Sequence, residues 1–181
     1  MTSGIVANNR MNRTRGCSGN NSYQKNLSFD LIGFLQQRLI KNESVEWLDI
    51  CCGEGRALIE TATFFAERDV AENPSRVLRI TGIDLAGTFR EYLPEFIHLQ
   101  LLEIPIENFE TSREFDLITC VHCLHYLGDK LSVIRRAASW LKKDGIFLAH
   151  LELESLKSFE NKNSKRIFSG YLIQKLKRQV S

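Results

Sequence analysis

The chain has 181 residues and a mass of 20.8 kDa, room for one domain with one sizeable core. Hydrophobic residues make up 43% and charged residues 25%, the balance of an ordinary globular protein, and no apolar run is long enough to span a bilayer. The net charge of +2 hides an acidic body between basic ends, which argues against a nucleic-acid footprint on the domain itself.

Segment 1–26 carries four basic residues and no acid, is rich in Asn, Ser, Gly and Arg, and reads as a disordered tail. It lacks the apolar stretch of a secretion signal, so a cytoplasmic location is expected, with all five cysteines as reduced thiols. The body, 27–156, keeps 13 of the 24 basic and 21 of the 22 acidic residues, a net −8. Segment 157–181 sets seven basic residues against Glu160 alone, and Ile167, Phe168, Tyr171, Leu172 and Leu176 suit one basic helix. Nucleic acid is not an expected partner except through these tails.

Within the body, Ser28 reads as the N-cap of a helix bearing Phe29, Leu31, Ile32, Leu35 and Leu39 at helical spacing. The run 45–50 is nearly continuously apolar, as a strand covered on both faces should be. Two glycines follow, and a helix from 55 to 68 carries Leu58, Ala62 and Phe65 on one face. Asn73-Pro74-Ser75 predicts a turn before a second strand, 77–83, that ends on Asp84. A short helix is expected over 88–92, a third strand over 96–102, and a fourth over 115–121. A helix over 129–143, with Leu131, Ile134, Ala138 and Leu141 inward, should end at Asp144-Gly145 before a fifth strand, 146–151. Strands alternating with helices in this way predict an α/β fold with a mostly parallel, doubly wound sheet and helices on both faces. The alternation of His150, Glu152 and Glu154 with Leu151 and Leu153 suits a strand with one exposed face or an edge, and either a homodimer through that edge or its cover by the basic C-terminal helix is expected.

Strand, glycine turn and helix at Asp49-Ile50-Cys51-Cys52-Gly53-Glu54-Gly55 form an arrangement that lets backbone approach a ligand and aims helix-terminal N–H groups at it. A dinucleotide-binding loop would want a third glycine where Leu58 stands. Asp49 and Asp84 are 35 residues apart, more than the ~20 quoted for dinucleotide folds. Cys120, His122, Cys123 and His125 invite a metal reading, but Cys120 falls within an apolar strand and the spacing lacks the paired knuckles of a zinc ribbon, so no metal is expected.

The glycine loop, the acid ending the second strand, the His122–Tyr126 segment after the fourth and the Asp144-Gly145 turn occur in the order in which they occur in class I S-adenosylmethionine-dependent methyltransferases. The sequence resembles that family, departing from it at Cys51, where a glycine is usual. The resemblance implies a Rossmann-like fold and S-adenosylmethionine as cofactor. By the same resemblance Asp49, Cys51, Gly53 and Gly55 would lie around its methionine end, Asp84 and Leu85 at the ribose, and Glu103 and Ile104 at the adenine. His122 would stand at the cofactor's edge, with His122 or His125 as base for a small-molecule or other soluble acceptor that must lose a proton. The family's closing antiparallel hairpin has no counterpart after the fifth strand, which leaves a sheet of about five strands. It also leaves a second expectation, a shortened non-catalytic domain that binds a partner.

Overall fold

The computed structural model describes residue 11 and residues 13–72, 76–92 and 98–150. The turn at 73–75, the start of the expected third strand, the basic C-terminal helix and the question of a final hairpin lie outside the described residues. Among the described residues five strands, β1 (Ser44–Ile50), β2 (Val77–Asp84), β3 (Leu99–Glu103), β4 (Phe115–Cys120) and β5 (Leu141–Ala149), form one sheet in the order β3-β2-β1-β4-β5. Every pairing is parallel. This is the expected doubly wound, Rossmann-like arrangement, with its switch point between β1 and β4.

The sheet is buried on both faces because each strand alternates two apolar sets. Val45, Trp47, Leu117, Ile146 and Leu148 face one core, shared with α1 (Tyr23–Leu27), α2 (Leu31–Lys41) and α3 (Arg56–Glu72). Leu48, Ile50, Ile118 and Phe147 face the other, shared with α4 (Lys130–Ser139) and the 3-10 turn Ile106–Asn108. Such double coverage is what a parallel sheet requires.

Five expectations need correction. Residues 13–26 are not a disordered tail. They fold back on the domain, burying Cys17, Ser22 and Tyr23, and Ser22 caps α1 by accepting from the Lys25 N–H at 3.2 Å. Few apolar anchors were needed because the segment also bonds through its backbone, as when the Cys17 N–H donates to Glu60 at 2.7 Å. Ser28 closes α1 in a left-handed conformation (φ 47°), and the true N-cap of α2 is Asp30, which accepts from Gly33. Residues 88–92 form no helix; the Arg90 N–H donates to the Glu54 carbonyl at 2.9 Å, laying this stretch along the glycine loop.

The fourth correction concerns the end of the chain's body. α4 stops at Ser139, leaving Leu131 exposed and Val133 and Ala137 buried, and β5 already begins at Leu141 opposite Phe115. The register then skips from Leu141 to Ile146, so Asp144-Gly145 sits in a bulge. Gly145 fits there because a Cβ would come 2.5 Å from the Phe115 carbonyl oxygen. The cysteines also differ from expectation, since Cys120 and Cys123 are joined in a disulfide with Cα atoms 6.1 Å apart, while Cys17, Cys51 and Cys52 are free.

Leu58, which displaces the third glycine of a dinucleotide fingerprint, is fully buried against β2. The close approach of helix and strand is supplied from the opposite side, by Gly82, where a Cβ would lie 2.6 Å from a Leu58 methyl and 2.9 Å from the Cys52 sulfur. Gly82→Ala should therefore cost about 1–3 kcal/mol of stability through overpacking. Adding Leu58→Ala should recover part of that cost, so that urea unfolding of the double variant shows less destabilisation than the two single losses summed.

Candidate active site

The loop after β1 is built on three left-handed residues before the helix. Cys51 has φ 60°, Gly53 φ 63° and Gly55 φ 74°. That conformation costs a non-glycine residue roughly 1–2 kcal/mol, which gives the physical reason a glycine is usual where Cys51 stands. Gly53 is required in addition by space, since a Cβ there would lie 2.6 Å from the Arg13 carbonyl oxygen. Burial, and then the carboxylates of Asp84, Asp49 and Glu107, push the Cys51 thiol up to about 12, so it is a neutral packing group rather than a nucleophile.

Asp84 ends β2 with its carboxylate at the mouth of this loop. One oxygen accepts from the Gly53 N–H at 2.9 Å; the other accepts from the Ala86 N–H at 3.0 Å and from the Arg13 guanidinium at 3.1 Å. Arg13 also donates to the Ala86 carbonyl at 3.1 Å and to the Thr88 hydroxyl at 2.7 Å, while its own carbonyl receives the Glu54 N–H at 2.9 Å. The N-terminal segment thus lies across the loop as a strap, its side chain on the acid and its backbone on the glycine turn.

Beside the acid is a pocket of about 220 Å³. Ile83, Leu85, Ile104, Pro105, Ile106 and Leu127 give it apolar walls, and Asp84 and Glu107 supply carboxylates at its rim. Of the residues singled out from the sequence, Cys51, Asp84, Leu85 and Ile104 meet here, and Gly53 and Gly55 shape the adjoining loop. Glu103 does not join them; it is exposed, its carboxylate over Gly87, and the wall expected of it comes from Pro105, Ile106 and Glu107. His122 is half-buried on the neighbouring loop, outside the pocket lining. His125 falls in the 3-10 turn Leu124–Tyr126, and its side chain lies outside the described set.

Asp49 faces inward. One carboxylate oxygen accepts from the Tyr23 hydroxyl at 2.6 Å and the other from the Thr119 hydroxyl, which itself accepts the Trp47 indole N–H at 2.9 Å. The carboxylate is wholly buried and both oxygens are engaged, so Asp49 anchors the loop from behind and ligand contact would require Tyr23 or Thr119 to give way. Burial raises its pKa to about 7, against the opposing pull of the two hydroxyl bonds.

Sequence reasoning missed Arg13, Tyr23, Thr119 and His150. A capping Ser22 with Tyr23 and Leu27 four apart was a usable signal for α1; no local pattern marks the other three.

Residues 21–172 match a methyltransferase domain family. The chain belongs to that family. Among curated relatives, it is similar to the ubiquinone biosynthesis O-methyltransferase of Bordetella avium, 28% identical over 121 residues that cover 64% of this chain and 43% of the relative. The corresponding enzyme of Vibrio campbellii is 29% identical over 116 residues, 62% of this chain and 46% of the relative. The chain spans less than half the length of these curated relatives. A solved S-adenosylmethionine-dependent methyltransferase from Clostridium acetobutylicum aligns with a TM-score of 0.47 and 19% identity, covering 71% of this chain and 54% of that one.

In this methyltransferase domain the buried Asp49 predicts a pH signature. Between the unfolded carboxyl value of 3.8 and about 7 the folded state holds a proton that the unfolded chain has released. The stability this contributes is complete below the lower value and is lost as pH rises through the upper one. Relative to Asp49→Asn, the wild type should lose on the order of 4 kcal/mol between pH 4 and 8, a shift of about three pKa units at 1.36 kcal/mol each. Denaturant unfolding of both proteins across that range, showing parallel pH profiles, would contradict it.

Proposed function

We propose that this domain binds S-adenosylmethionine and transfers its methyl group to a hydroxyl oxygen of a small-molecule acceptor. The observation that carries the reading is the Asp84 carboxylate at the end of β2, set between a left-handed glycine loop and an apolar pocket at the carboxyl ends of the strands. A carboxylate matches a vicinal diol in geometry, so Asp84 would hold the ribose hydroxyls. The apolar walls of Ile83, Ile104 and Ile106 would receive the adenine, and the loop from Cys51 to Gly55 would face the methionine end. The residues therefore fit the cofactor, with one condition: Arg13 already occupies an Asp84 oxygen and must share or yield it.

The cofactor, when bound, supplies an electrophilic methyl on a sulfonium. The chain's own work is then to hold donor and acceptor in line, exclude water and receive the acceptor's proton. Oxygen as the acceptor atom is supported by the two relatives, both O-methyltransferases. The cytoplasmic location expected from the sequence belongs to the same reading, and no helix among the described residues is long and apolar enough to cross a membrane.

Calorimetric titration with S-adenosylmethionine and with S-adenosylhomocysteine tests this directly. The wild type should bind both, and Asp84→Ala should weaken binding roughly 10–100-fold, a charge-assisted hydrogen bond being worth about 1.5–3 kcal/mol. Arg13→Ala should bind a few-fold more tightly, because the guanidinium competes for the acid. A folded wild type that binds neither compound would sink the proposal and favour the non-catalytic, partner-binding domain. Weaker binding by Arg13→Ala would show that the guanidinium grips the ligand instead.

A further inference from the structure

The carboxyl ends of β4 and β5 bring together two histidines that lie 28 residues apart in the chain. The Nδ1 atoms of His122 and His150 are 2.8 Å apart, with ring centroids at 3.8 Å. Two imidazole nitrogens at that distance must hold one proton between them, because two lone pairs or two N–H groups would repel. His150 is fixed on its own side: it is 6% exposed, and its backbone N–H donates to the Cys120 carbonyl at 3.2 Å, extending the β4–β5 ladder by one bond. His122 is fixed on the other. It sits between the disulfide-linked Cys120 and Cys123 in a left-handed conformation (φ 56°) that a residue with a Cβ adopts only when its surroundings impose it.

The rings stand at the carboxyl ends of β4 and β5, and the loop that carries His122 continues into Tyr126, Leu127 and Gly128 of the pocket. Of the two, His122 is half-buried and His150 buried, so His122 is the more accessible ring. We propose that His150 is a positioning residue that accepts the Nδ1–H of His122, locking His122 in the tautomer whose Nε2 is unprotonated and able to take the acceptor's proton. This rests on the methyl transfer proposed above. In that reaction the acceptor oxygen forms its bond to the methyl carbon as the carbon–sulfur bond breaks. The bonding pair leaves with sulfur, giving the neutral thioether, and the hydroxyl proton passes to His122 Nε2. The positive charge lost from the sulfonium thus reappears on the imidazolium, and no further reactant is needed.

The test combines a spectroscopic and a kinetic measurement on the full chain. Long-range 1H–15N spectra of the wild type should show His122 protonated at Nδ1 and bare at Nε2, and His150→Phe should let both tautomers appear. With S-adenosylmethionine as donor and catechol as probe acceptor, His150→Phe should lower kcat about tenfold or more, as expected when a catalytic imidazole loses the partner that sets its tautomer, with KM unchanged. His150→Asn, whose amide oxygen stands near the lost Nδ1, should restore most of the rate. S-adenosylhomocysteine affinity, measured by calorimetry, should be the same in all three proteins. A wild-type His122 protonated at Nε2, a tautomer indifferent to His150→Phe, or an Asn variant as slow as the Phe variant would each overturn the proposal. Failure of the underlying reading is distinguishable, because S-adenosylhomocysteine would then not bind and catechol would not be methylated by the wild type. This proposal would fall with it.

Discussion

One buried carboxylate holds the site's framework together. Asp49 has no solvent contact, yet its two oxygens are bonded to hydroxyls from two different parts of the chain, Tyr23 on α1 and Thr119 on β4. Through Thr119 the network extends to the Trp47 indole on β1 itself. A buried acid without partners would be costly, whereas one whose lone pairs are met specifies which groups must lie around it. Asp49 is met only when β4 lies beside β1 and α1 lies over both. The polar N-terminal segment, which has little apolar surface to drive its own docking, is thereby tied to the end of the strand from which the glycine loop departs.

That docking has a direct consequence for the loop. With α1 in place, Arg13 is led across Gly53 and Glu54, and its guanidinium meets Asp84. The closeness that makes Gly53 obligatory is therefore, in this structure, closeness to the protein's own backbone. The two acids divide the labour by burial: Asp49, sealed and partly protonated near neutral pH, serves the framework, while Asp84 stands at the pocket with nearly all its hydrogen bonds coming from groups that flank the mouth. Leu58 and Gly82 settle the remaining geometry by exchanging the large and small partners of a dinucleotide fold's helix–strand contact.

Legibility followed periodicity. β1, β2 and β4 were readable because continuous apolar runs bounded by glycine and charge signal a strand buried on both faces, and from them the parallel sheet followed. Asp84 and the loop glycines were readable because their chemistry is local to a strand end. The N-terminal strap was not, since its docking rests on hydroxyl, carboxylate and backbone bonds that composition does not reveal. The end of α4 was misjudged for a different reason: Trp140 and Leu141 continue the helical spacing, but Trp140 packs edge-on against Phe109, 5.4 Å between centroids, and Leu141 pairs with Phe115. Tertiary contacts overrode a local pattern there. Glu103 is the last residue of β3 and exposed, and the pocket wall begins one residue later, at Ile104.

The two histidines show why the last part of a site is hardest to read. Alternation allowed an exposed strand face or an edge at His150, yet the residue is buried, with the His122 ring against it. The buried ring of His150 meets a second polar ring, and that ring is carried on a left-handed residue between two linked cysteines. Each of these features looks unfavourable alone: a buried imidazole, a strained residue, a disulfide spanning three positions. Methyl transfer asks little of a protein beyond alignment and the removal of one proton. In the proposed reaction a pair of rings fixed from both strands would meet the second requirement, and the loop, the pocket and Asp84 would meet the first once Arg13 shares or yields its hold on the acid.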